Sequence, residues 1–79
     1  MTVEEIFKVI TSHTREVLPS LLEHNFQFND SLKDLGANSI DRSEIVMMTL
    51  ESISLRIPLI EIASAENIGE LAEILFERM

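Results

Sequence analysis

The sequence has no cysteine, which removes disulfide staples, thiolate metal sites and a cysteine nucleophile. No apolar run approaches the roughly 20 residues that cross a bilayer. Positive charge is scarce: six Lys and Arg stand against fourteen Asp and Glu, a formal net charge of −8. With no basic cluster, the chain lacks the footprint that displaces counterions from nucleic acid, and anionic membranes are disfavoured for the same reason. Histidine is limited to His13 and His24. Neither has the i, i+4 partner or carboxylate pattern of a metal or general-base site, so both are expected to be polar residues facing solvent. Glycine and proline occur twice each, and repeats, linkers and low-complexity segments are absent. The first ten residues are acidic and amphipathic without a positive region, so no secretory signal is expected and a cytoplasmic location follows.

What is present fits one small domain over residues 1–79. Thr2 with Glu5 forms a capping box, and Val3, Ile6, Phe7, Ile10, Thr14 and Val17 follow at helical spacing. Pro19 ends this first helix. A connection from about Ser20 to Asn38 comes next, with Phe26 and Phe28 expected to pin it to the core. Ser31 with Asp34 suits a short turn around Leu32 and Leu35, and Gly36 permits a tight bend. Asn38 caps a second helix, with Asp41 favouring its dipole and Val46, Leu50 and Ile53 as the expected buried stripe, flanked by Ile45 and Thr49. That helix should stop before Arg56-Ile57-Pro58. Leu59 to Ala65 is too brief for more than a turn or two, and Asn67 with Glu70 starts a last helix that buries Ile68, Leu71, Ala72 and Leu75. The expectation is an all-α four-helix bundle, three helices longer and one short.

A connection of such length in so small a domain tends to be functional. It delivers the Ser39 hydroxyl to the start of an exposed helix, where free amides and the positive dipole end suit a phosphate. A serine that merely caps the helix is the plain alternative. The remaining carboxylates lie on expected exposed faces, with little room for a cleft that shifts their pKa values, so no catalytic constellation is read. Charge is uneven: residues 39–79 hold three arginines against eight acids, residues 1–38 three cations against six. Basic protein surfaces are the natural partners, reached by electrostatic steering, unless the acids form only a solvated face.

Asp30-Ser31-Leu32, Leu35-Gly36 and Asn38-Ser39-Ile40 resemble, at matching spacings, the signature of the acyl carrier proteins. Glu44, Val46, Met47 and Leu50, then Ile57-Pro58, then Ile68, Leu71 and Ala72 extend the similarity over nearly the whole chain. The resemblance implies a four-helix bundle without catalytic activity, whose serine, here Ser39, receives 4′-phosphopantetheine from coenzyme A through a separate Mg²⁺-dependent phosphopantetheinyl transferase. Departures include Asn38 in place of the usual aspartate, Arg42 one turn into the helix, and Leu59-Ile60-Glu61-Ile62-Ala63 where bacterial fatty-acid carriers are strongly acidic. Asn38-Ser39-Ile40-Asp41-Arg42-Ser43-Glu44-Ile45 resembles the free-standing donor carriers of polyketide β-branching cassettes. That narrower resemblance implies an acetyl group derived from malonyl, with an acyltransferase, a decarboxylating ketosynthase and a hydroxymethylglutaryl-CoA-synthase-like enzyme as partners. Docking is expected on the second helix through Ile40, Asp41, Arg42, Glu44, Met47 and Glu51, with the protein a monomer. Arg42 is expected to pair with the arm's phosphate or an acidic partner, and its loss to leave arm attachment intact. A peptidyl or aminoacyl carrier and an unmodified helical interaction module are the competing readings.

Overall fold

The computed structural model describes residues 1–79, folded as three α-helices and two 3₁₀ turns with no strand. Helix α1 (Val3–Val17) begins at the Thr2–Glu5 capping box, in which Glu5 N–H donates to Thr2 Oγ1 at 3.1 Å and Thr2 N–H to Glu5 Oε1 at 2.8 Å. Its buried face is Ile6, Ile10, Thr11 and Thr14. Thr14 is tolerated there because its hydroxyl donates to the Ile10 carbonyl at 2.8 Å, leaving no orphaned polar group. Leu18 caps the helix and Pro19 opens a 3₁₀ turn, Pro19–Leu21, since its ring forbids another α-turn but fits the start of a new one.

Helix α2 (Ser39–Ser52) departs from the expected face. Ile45 and Thr49 are fully buried and Ile53 nearly so, whereas Val46 and Leu50 are only half-buried. Thr49 can occupy the core because its hydroxyl donates to the Ile45 carbonyl at 2.8 Å. Val46 and Leu50 are thereby turned towards two surface depressions. The helix closes in a Schellman arrangement: Leu55 N–H reaches Leu50 O, Ser54 N–H reaches Glu51 O, and Ser54 takes a left-handed φ of 55°. The short fourth helix is a single 3₁₀ turn, Leu59–Ile62. Four residues after a proline, without a side-chain cap, cannot nucleate an α-helix. Helix α3 (Ile68–Glu77) is capped by Asn67 through Glu70 N–H at 2.7 Å, and buries Ile68, Leu71, Ala72 and Leu75 as expected.

Helix α1 packs against both α2 and α3, while α2 and α3 make no close backbone approach to each other. The long connection joins the core through Phe26, Leu32 and Ala37. Phe26 is in the core, ringed by His24 edge-on at 4.7 Å and by the Arg15 guanidinium at 4.8 Å. Phe28 is half exposed instead of buried, resting on Phe7 with ring centroids 4.6 Å apart. Its carbonyl accepts from Gly69 N–H at 2.8 Å, and Asp30 O accepts from Ile68 N–H at 2.9 Å. These two bonds use amides that the start of α3 would otherwise leave unpaired. Only glycine permits the approach, since a Cβ at residue 69 would lie 2.8 Å from Phe28 O.

Both histidines differ from the expectation of solvent-facing side chains. His13 ties α1 to the end of α2 through Ser52 Oγ at 2.7 Å, and His24 meets Asp30 Oδ2 at 3.0 Å. The backbone N–H of Gln27, 2.8 Å from the same Asp30 oxygen, holds this carboxyl below its ordinary value of 3.8, and His24 adds to the effect. A depressed folded-state value means the stabilisation is complete above the ordinary value and is lost as pH falls through the folded one. Between about pH 5 and pH 3, Asp30→Asn should therefore show a shallower fall in urea midpoint than the wild type. Equal slopes for the two proteins would remove Asp30 from the acid response.

Candidate functional site

The Ser39 site is built by the turn before α2. Ser31 and Asp34 close that turn, with Leu35 N–H on Ser31 O and Asp34 N–H on Ser31 Oγ, and Gly36 completes it at a φ of 105°. Ala37 then enters the core and donates its N–H to Leu32 O at 2.9 Å. Asn38 and Asp41 form a reciprocal capping box: Asp41 N–H donates to Asn38 Oδ1 at 2.8 Å and Asn38 N–H to Asp41 Oδ2 at 3.2 Å. The resemblance placed an asparagine where an aspartate is usual, and the amide oxygen performs the cap without a charge.

Ser39 is the first residue of α2 and is exposed. The Ser39 and Ile40 amides have no acceptor within the protein, and they sit at the positive end of the helix dipole. A cleft of about 550 Å³ opens beside the serine between α2 and α3. Its apolar lining includes Val46, Ile62 and Leu71, while Arg42 and Lys33 stand among its polar residues. This combination of an exposed hydroxyl, two unpaired amides and nearby cations fits a covalently attached phosphate and the chain it carries.

The expected docking residues divide into two sets. Ile40, at 74% exposure, and Met47, at 59%, are open, as are Glu44 and Glu51. Ile40 and Met47 are seven residues apart and share one side of α2. Asp41 and Arg42 are half-buried and already engaged, the former in the capping box and the latter through Nη1 to the Ala37 carbonyl at 2.7 Å. Below Met47, a second depression of about 530 Å³ is lined by Leu50, Leu55, Ile57 and Leu59. Lys33 and Ser43, both on the cleft, were not singled out by the sequence. Ser43 is four residues after Ser39 on the same helical side, which is a signal the spacing carries; Lys33 reaches the cleft only through the fold of the loop.

Comparison with known proteins agrees with this geometry. The family described as the phosphopantetheine attachment site matches residues 8–75. The polyketide biosynthesis acyl-carrier protein AcpK of Bacillus subtilis (strain 168) is 48% identical over 79 residues, covering 100% of this chain and 96% of that protein. Among solved structures, a chain from the curacin-pathway HMG synthase in complex with acetyl donor-ACP superposes with a TM-score of 0.91 at 48% identity, covering 95% of this chain and 96% of that one.

Proposed function

The chain belongs to the phosphopantetheine-attachment family, and from that premise we infer that it is the acetyl-donor acyl carrier protein of a polyketide β-branching system. Carriers of this family deliver and do not catalyse, so the chain is not an enzyme. The covalent group is 4′-phosphopantetheine, which supplies the thiol that a cysteine-free chain lacks. Ser39 is the acceptor in this reading. Its Oγ forms a bond to the pantetheine-side phosphorus of coenzyme A as the diphosphate P–O bond breaks. Adenosine 3′,5′-bisphosphate leaves, and the hydroxyl proton passes to the transferase and solvent.

The observation that carries the reading is the position of the Ser39 hydroxyl: exposed, at the first turn of α2, between two unpaired amides and the mouth of a cleft. The acetyl cargo and the synthase partner rest on the likeness to the donor carrier of the curacin pathway. An acyltransferase and a decarboxylating ketosynthase would load and trim the cargo. Residues 1–79 act as one cytoplasmic, monomeric carrier domain, kept apart from its copies by a charge of −8. Docking uses Ile40 and Met47 as apolar contacts, with Glu44 and Glu51 steering a basic partner surface. Arg42 gives that otherwise acidic helix a single cation, which favours a partner with a matching carboxylate.

The test is acetyl transfer from the loaded protein to a hydroxymethylglutaryl-synthase-type enzyme, followed by intact mass. The wild type should discharge its acetyl group. Met47→Glu should raise KM by roughly tenfold, the cost of one well-placed apolar contact, with little change in kcat. A loaded, folded protein that discharges to no such enzyme would leave the carrier role standing and remove the acetyl-donor assignment.

A further inference from the structure

The carbonyl of Ala37 lies one residue outside the hydrogen-bonding ladder of α2. In that ladder the N-cap carbonyl of Asn38 accepts from Arg42 N–H at 2.9 Å. The next donor in register for Ala37 O is Asp41 N–H, but Asn38 Oδ1 has taken it at 2.8 Å. Ala37 is only 2% exposed, and a carbonyl left unpaired in such surroundings is unfavourable. Arg42 fills the vacancy with Nη1 at 2.7 Å. The two carbonyls that precede Ser39 are thus both held by residue 42, one by its main chain and one by its guanidinium.

The same peptide unit is held from its other side. Asn38 N–H belongs to the plane that carries Ala37 O, and it donates to Asp41 Oδ2 at 3.2 Å. Rotation of that plane breaks both bonds together. Upstream, Gly36 N–H donates to Lys33 O at 3.1 Å and Ala37 N–H to Leu32 O at 2.9 Å, bonds that hold the preceding peptide planes and leave the Ala37–Asn38 plane to Arg42 and Asp41. Arg42 makes no ion pair that would compete for its guanidinium: the three ion pairs are His13–Glu16, His24–Asp30 and Arg78–Glu61.

We propose that Arg42 is a positioning residue for the loading of Ser39, fixing the Ala37–Asn38 peptide and with it the direction in which the serine hydroxyl meets the transferase. The proposal rests on Ser39 being the attachment point, and it replaces the expectation that arm attachment is indifferent to Arg42. Positioning acts on the reacting geometry, so its loss falls on kcat. Contact between Arg42 and the transferase would fall on KM instead.

Arg42→Met keeps the apolar stem and removes the donor, whereas Arg42→Lys keeps stem, donor and charge. Amide exchange at Asn38 is measured first on the unmodified proteins, with circular dichroism to establish folding. Arm attachment is then followed by intact mass with coenzyme A, Mg²⁺ and a purified transferase. Arg42→Met should speed Asn38 exchange and lower kcat, each by roughly tenfold, the worth of one charge-assisted hydrogen bond. Arg42→Lys should recover most of both. Wild-type exchange and wild-type kcat in Arg42→Met would overturn the proposal, and so would a change confined to KM. A wild type that gains no arm, with the same mass as Ser39→Ala, overturns the attachment reading itself. That outcome is distinct from a wild type and an Arg42→Met that load equally fast.

Discussion

Ser39→Ala is expected to abolish arm attachment while leaving the fold intact. The wild type should gain one phosphopantetheine on incubation with coenzyme A, Mg²⁺ and a promiscuous transferase, and the variant none, as read by intact mass. Nothing in the fold depends on this hydroxyl: Ser39 is exposed, the capping bonds belong to Asn38 and Asp41, and no hydrogen bond uses Ser39 Oγ. Alanine also has the higher helix propensity. Stability should therefore change by no more than about 0.5 kcal/mol, which separates loss of loading from loss of structure. Ser31 and Ser43 also line the cleft and serve as internal controls. An arm that still appears on Ser39→Ala would move the attachment to one of them and remove Ser39 from the mechanism.

The largest effect on stability is expected at Ile45. Its side chain is fully buried in the middle of α2, in the cluster shared with Ile6, Ile10 and Leu75. Truncation to alanine loses transfer free energy and leaves a cavity, together about 2–5 kcal/mol. A domain of this length has a total stability on the order of 4–12 kcal/mol, so Ile45→Ala consumes a large share of it. The melting temperature should fall by at least about 8 °C, as followed by circular dichroism. Val46→Ala, half-buried on the cleft, should cost no more than about 1 kcal/mol. Equal losses for the two variants would contradict the inward face assigned to α2.

That pair of variants also marks where the sequence was readable. Helix starts were legible because capping is local: Thr2 with Glu5, Asn38 with Asp41 and Asn67 with Glu70 each act within one turn. The buried faces of α1 and α3 were legible because their apolar residues are segregated from their polar ones. In α2 they are not, with Ile45, Val46, Met47, Met48 and Leu50 spread around the helix. Spacing alone then favoured Val46 and Leu50, while a self-satisfied Thr49 took the core position. The exposed place of Ser39 at the start of α2 was legible from its motif. The bonds that brace it were not, since Arg42 to Ala37 O bypasses the regular ladder. His13 with Ser52 is a pairing across 39 residues that no local pattern announces.

The bonds from Ile68 and Gly69 to Asp30 and Phe28 tie the long connection to α3, and both line the cleft. The Leu59–Ile62 turn, which also lines it, is joined to α3 as well: Ile62 is buried in the core cluster that holds Ile68 and Leu71, and Glu61 pairs with Arg78 at the end of α3 at 2.6 Å. Such a pair contributes about 0–1 kcal/mol. The burial of Ile62 is therefore the stronger tie, and the loop, the turn and the last helix form one wall of the cleft, with α2 as the other. A group lodged beside Ser39 meets two walls that make no close backbone approach to each other, α2 on one side and the turn with α3 on the other.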